Sequence, residues 1–186
     1  MRLSKPRITP LADADATPEQ AEALSVFAGG PVLNIFRTLA RAPKALARFN
    51  QWGGYVLSQR NSLPPREREI LILRTGYLCK SGYEWTQHVR IALAAGVTEA
   101  EVARIKIGAD AEGWSSADAA LIRAVDDLVG DHFVSEASWA GLSHLTEKQR
   151  MDVVFTVGQY TQVSMILNSF GVQLDEGQTL DPDLKA

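Results

Sequence analysis

The sequence predicts an all-α fold in a single domain, and three observations carry that reading. Apolar residues recur at helical spacing along most of the chain, and helix-capping signatures return at intervals. The chain holds 24 alanines and no stretch of period-2 alternation or Asn-Gly hairpin signal. At 186 residues it is only slightly longer than a usual domain. A chain of that length buries roughly two-thirds of the surface its unfolded form exposes.

Residues 1–16, MRLSKPRITPLADADA, read as an extended arm because Pro6 and Pro10 oppose helix. The arm either lies across the body or a neighbouring subunit, or frays as termini do. Thr17, Pro18 and Gln20 then supply an N-cap, a proline at the first helical position and a capping-box glutamine. The helix they open is expected to run to Gly29-Gly30. A short helix is expected over 33–41, stopped by Pro43, and a longer one over 44–60 with Leu46, Phe49, Tyr55 and Leu57. In that longer helix Gly53-Gly54 permits close packing. After a turn with Pro64 and Pro65 comes the most apolar helix, residues 66–79, REREILILRTGYLC. Ile70, Leu71, Ile72 and Leu73 cover every direction of the helical wheel, so other helices should surround it. A strand is the alternative for ILIL, but the flanking charges and the length favour helix.

The next helix spans 83–95 and is closed by Gly96; Thr98 caps another. Residues 114–131 place Ala120, Leu121, Ala124, Val125 and Leu128 on one face, and a short helix follows over 135–142. Thr146 with Gln149 opens the last long helix, which carries Met151, Val154, Phe155, Met165 and Ile166 and ends near Gly171. The helical domain is thus expected over 17–175, with 176–186 as a C-terminal tail.

Lys plus Arg number 19 and Asp plus Glu 22, for a net charge of −3. No basic stripe results, so nucleic acid is not an expected partner. No segment approaches the roughly 20 apolar residues that span a bilayer. Gly-rich phosphate loops are absent as well. The single cysteine, Cys79, cannot form an internal disulfide, a CxxC pair or a multi-cysteine zinc site, which points to a reducing cytoplasm. A metal site of two carboxylates and a histidine is geometrically conceivable, but neither HExxH nor the ferritin-type Glu-x-x-His spacing occurs to support it, so no metal is expected.

The chemistry concentrates in residues 66–97. Glu84 and His88 are four apart and share a helix face that continues through Ile91, Ala92 and Ala95, so they should point inward. A carboxylate beside an imidazole fixes the ring's tautomer and favours its protonated form, the physical basis of a general acid–base element. Such an i,i+4 pair is also a common helix-stabilising contact worth a few tenths of a kcal/mol. A second inward acid adds weight. Glu69 shares a face with Ile72, Leu73 and Gly76, and a buried carboxylate there needs a partner. Arg74 is about 140° away around the same helix, whereas His88 on the next helix is a better candidate.

The stretches NIFRTLARAPKALARF (34–49), LPPREREILILRTG (63–76), YEWTQHVRIALAAGV (83–97) and TVGQYTQVSMILNSFGV (156–172) together resemble the carboxymuconolactone decarboxylase family of the alkylhydroperoxidase D-like superfamily. The resemblance implies a single-domain alkylhydroperoxidase D-like helical bundle that assembles as a dimer, trimer or hexamer. In the hydroperoxidase branch a Glu, a CxxC and a following His form the reactive centre. The Glu and the His fall on Glu69 and His88, while the two cysteine positions carry Ser81 and Glu84. Cys79 lies two residues before the first of them, and an inert, partly buried thiol is its simplest role. The branch without the CxxC is therefore the better match.

That branch implies a cofactor-free lyase acting on a small carboxylated or lactone-like substrate. His88 would donate the proton, Glu84 would orient it and Glu69 would extend the relay. Tyr83 and Trp85 would line the pocket, and Arg74 or Arg90 would anchor the substrate. Two alternatives are an alkylhydroperoxidase or peroxiredoxin-like antioxidant activity, disfavoured by the missing CxxC, and a non-catalytic oligomeric helical protein.

Overall fold

The computed structural model describes residues 1–27 and 29–185, and among them nine α-helices form a bundle with an apolar helix at its centre. In chain order they are α1 (Pro18–Ser25), α2 (Asn34–Leu39), α3 (Pro43–Leu57), α4 (Pro65–Leu78), α5 (Gly82–Ala94), α6 (Glu99–Ile107), α7 (Ser116–Gly130), α8 (Glu136–Gly141) and α9 (Glu147–Phe170). Short 3₁₀ turns add Asp13–Asp15, Leu142–His144 and Pro182–Leu184, and no strand occurs among the described residues.

The local signals act where they stand in the sequence. Thr17, Thr98 and Thr146 form full capping boxes with Gln20, Glu101 and Gln149. Ser115 and Ser135 cap α7 and α8 through their hydroxyls. Gly171 ends α9 in the left-handed conformation, φ 69°, that glycine adopts without penalty. α1 is the exception, ending at Ser25 rather than at Gly29-Gly30. The Phe27 N–H folds back to Leu24 O, and its ring stacks on Phe36 with centroids 4.0 Å apart. Burying that aromatic pair outweighs another helical turn.

α4 occupies the centre, against α5, α6, α7 and α9. Ile70, Leu71, Ile72 and Leu73 are each at most 1% exposed, as residues facing neighbours on every side must be. The link from α4 to α5 is three residues long, and Lys80 adopts φ 52° to reverse the chain. The Ser81 N–H then returns to Gly76 O. α5 is thereby laid antiparallel on α4, with Gly76 facing Glu84: a Cβ at Gly76 would stand 3.6 Å from Glu84 Cγ.

Both terminal segments lie on this body. In the arm, the N–H groups of Arg7 and Ile8 donate to Phe170 O, Leu11 N–H donates to Arg37 O, and Leu11 is buried. Beyond α9, Asp175 accepts from Tyr83 Oη (2.6 Å), Gln87 Nε2 (2.7 Å) and Asn34 N–H (2.8 Å). Asp181 accepts from Trp85 Nε1 at 3.0 Å and pairs with Lys106. Ala186, the last residue of the expected tail, lies outside the described residues.

Candidate active site

α4 and α5 bring Glu69, Glu84 and His88 together. The His88 imidazole sits between the two carboxylates: Nδ1 is 2.7 Å from Glu69 Oε2 and Nε2 is 2.9 Å from Glu84 Oε1. All three residues are buried, Glu69 almost completely. Burial pushes the ring's pKa down. The charge of Glu84 and the hydrogen bonds to both carboxylates more than offset this, so it rises to about 9. At neutral pH both ring nitrogens therefore carry hydrogens: Nδ1 donates to Glu69, and Nε2 is in ion-pair contact with Glu84. The Tyr160 ring from α9 meets the imidazole edge-on, centroids 4.9 Å apart, and burial beside the two carboxylates raises its phenol pKa well above the ordinary value.

A cavity of about 400 Å³ opens beside this group. Its wall is mainly apolar, with Phe36, Phe49, Ile35 and Val163 among the lining residues. One side is polar: Glu84, Gln87, His88, Gln159 and Tyr160. Glu69 does not line the cavity but stands behind the imidazole. The three acid–base residues are thus layered, with a carboxylate on each side of the ring and one of the two in contact with empty space.

The remaining sequence-derived candidates separate. Tyr83 lines the cavity, its hydroxyl held by Asp175. Trp85 faces the other side of α5, packed against Tyr77 and bonded to Asp181, because neighbouring residues on a helix point about 100° apart. Arg74 also departs from expectation as a substrate anchor. It is buried toward α6 and α7, donating to Asp126 Oδ1 at 2.7 Å and to the carbonyls of Ile105 (2.8 Å) and Lys106 (3.1 Å). Gly108 makes that placement possible, since a Cβ there would stand 2.8 Å from Arg74 Nη2. Arg90 reaches the cavity rim, where it is exposed. Ile91, expected inward, is 41% exposed at the same mouth, because the α5 face that begins in the core runs out to solvent there.

Sequence reasoning passed over Asp175, Gln159 and Tyr160. Gln159 carries the same signal that marked Glu84, a polar residue on a buried helix face that also holds Val153, Val157 and Val163. Asp175 has no such signal, being a loop acid brought to α5 by the return of the chain after α9.

Cys79 is half-buried in a different hollow, shared with Arg2, Arg7 and Asn168, and burial raises its thiol pKa. It does not line the cavity of His88. Among the described residues no cluster of His, Cys, Asp and Glu has an arrangement suited to a metal ion. No helix among them is long and apolar enough to cross a membrane.

The helix order and the antiparallel α4–α5 pair at its centre define an alkylhydroperoxidase D-like bundle. An alkylhydroperoxidase D core, an uncharacterized peroxidase-related protein from Ralstonia eutropha JMP134, superposes with a TM-score of 0.77 at 18% identity, covering 91% of this chain and 92% of that one. The debrominase Bmp8, as a cysteine-to-alanine variant in complex with 2,3,4-tribromopyrrole, superposes with a TM-score of 0.76 at 12% identity, covering 93% and 94%. Both likenesses are of fold. Residues 43–126, the stretch that holds Glu69, Glu84 and His88, match the model of the carboxymuconolactone decarboxylase family. Among curated proteins none matches the sequence significantly.

Proposed function

We propose that the protein is a cofactor-free acid–base enzyme that moves protons at carbon on a small lactone-like molecule. The observation that carries this reading is the His88 imidazole held at both nitrogens by carboxylates, one of which faces a mainly apolar cavity. The Glu84 carboxylate takes a proton from the ligand carbon beside the carbonyl, and the C–H electron pair moves to the carbonyl oxygen, giving a conjugated enolate. Glu84 then returns the proton to a carbon of the conjugated system as the carbonyl re-forms, while the His88 imidazolium stabilises the Glu84 charge. Glu84 and His88 are then the catalytic residues, and Glu69 is the positioning residue that holds Nδ1–H and balances the ring's charge. This exchanges the roles expected for Glu69 and Glu84, because Glu84 is the carboxylate at the cavity wall.

Of the carboxylated or lactone-like substrates implied by the family, the uncharged kind is better supported, since Arg74 is engaged elsewhere. An assembly of several copies fits the same reading: Val26, Leu57 and Ile91 are exposed around the cavity mouth, and sedimentation of the pure protein measures it. The function is tested with an unsaturated five-membered lactone such as α-angelica lactone in D2O, following deuterium uptake beside the carbonyl by NMR. The protein should accelerate uptake, and His88→Gln should remove at least 100-fold of that acceleration. No acceleration, or an unchanged rate in the folded variant, overturns the reading.

A further inference from the structure

Gln159 presents a buried carboxamide with no work to do inside the protein. The residue is 4% exposed and lines the cavity beside Glu84 and His88. Its Oε1 is fully buried without a hydrogen-bond partner, and among the described residues its Nε2 makes no hydrogen bond either. Buried polar atoms are nearly always paired, so a carboxamide in a cavity wall whose buried oxygen has no partner marks where a ligand completes the bonding. The opposite wall is cut back to match. α3 carries Gly53 and Gly54 in its interior, where glycine is less favourable than alanine. A Cβ at Gly53 would stand 3.6 Å from Gln159 Nε2, and one at Gly54 would meet nothing within 4 Å. Both glycines line the cavity, and their missing side chains leave room in front of the carboxamide.

The charge beside it selects the ligand. One imidazole stands between two carboxylates, hydrogen-bonded to Glu69 through Nδ1 and 2.9 Å from Glu84 through Nε2. The protonated ring offsets one of the two carboxylate charges, which leaves the group with one net negative charge. Apart from His88, the one cation among the described lining residues is Arg90, which is exposed and hydrated at the rim. An anionic ligand inside would face a like charge across a low-dielectric wall.

We propose that Gln159 orients the ligand of this cavity, and that the ligand is an uncharged, largely apolar molecule that carries, besides its lactone-like carbonyl, one hydroxyl-type group that both donates and accepts hydrogen bonds. This inference deepens the acid–base reading and rests on it for the substrate class, while binding is measured without turnover. Titration calorimetry at pH 7 with 2-naphthol, 2-naphthoate and naphthalene is the test. 2-Naphthol should bind at least tenfold more tightly than 2-naphthoate. Gln159→Leu should weaken 2-naphthol at least fivefold while leaving naphthalene unchanged. Equal or tighter binding of 2-naphthoate, an unchanged 2-naphthol affinity in Gln159→Leu, or no binding of any of the three overturns the inference. The ligand preference is read on the unaltered protein, so it stands even if the variant does not fold. Loss of lactone exchange in His88→Gln with no naphthol preference sinks this proposal alone. A naphthol preference with unchanged exchange in His88→Gln sinks the acid–base reading alone.

Discussion

Asp152 and Glu84 are both carboxylates withdrawn from water, and their surroundings differ in one respect. Asp152 is enclosed by donors: Tyr55 Oη at 2.6 Å, Ser62 N–H at 2.7 Å, Ser62 Oγ at 2.6 Å and Lys148 Nζ at 2.7 Å. Burial raises its pKa, but these bonds prevail and bring it down to about 2. The cluster ties α9 to α3 and to the turn before α4, and it borders no part of the cavity of His88. Glu84 is bonded to His88 and also faces open space, next to the unpaired carboxamide of Gln159. A buried charge by itself therefore marks structure as readily as function. The distinguishing feature is unfilled bonding capacity turned toward a cavity.

Four changes probe that contrast. Glu84→Gln keeps a polar group of the same shape but cannot carry the proton. Lactone exchange should fall about 10²–10⁴-fold, and stability by no more than about 1 kcal/mol. A similar loss of stability and activity together would place Glu84 with Asp152 as a structural residue. Asp152→Ala should do the converse, leaving the Ser62 N–H and the Tyr55 hydroxyl without an acceptor and lowering stability by roughly 3–4 kcal/mol in urea unfolding. The remaining folded protein should keep its exchange rate.

Next in size is the pH dependence of His88, which faces Glu69 on α4, Glu84 on its own helix and the Tyr160 ring on α9. Its folded pKa is raised from 6.5 to about 9. The stabilisation is therefore fully present below about pH 6.5 and is lost as the pH rises through about 9. Unfolding free energies between pH 6 and pH 10 should show a decline of about 3 kcal/mol from this group. His88→Gln should remove that part of the slope. The smallest effect concerns Gly54, which sits within α3 with open space where its Cβ would be. Gly54→Ala should raise stability by about 0.5–1 kcal/mol. A loss of stability there would mean that the glycine serves packing rather than the cavity.

Much of the fold was legible because its signals are local. The threonine capping boxes at Thr17, Thr98 and Thr146 begin helices where their side chains can reach backbone N–H groups three residues on. The four apolar residues Ile70–Leu73 announced a helix with neighbours on all sides, and α4 has them. The end of α1 was not legible, because the stacking of Phe27 on Phe36 joins residues nine apart across a turn. In the site, the i,i+4 spacing of Glu84 and His88 and the inward placement of Glu69 identified the ionisable group. Arg74 was misjudged as an anchor because its direction around α4 depends on which neighbour offers acceptors. Asp126 and the carbonyls at the end of α6 provided them.

The sequence by itself determined the helices, their caps and the pairing of His88 with Glu84, since these depend on residues within a turn or two of one another. It also determined that no second thiol stands beside Cys79. Only the tertiary structure decided which carboxylate faces the cavity, that Gln159 is left unpaired, and that Asp175 returns to hold Tyr83 and Gln87. Those facts depend on how α3, α5 and α9 approach one another, and empty space between helices has no counterpart in the order of residues along one of them.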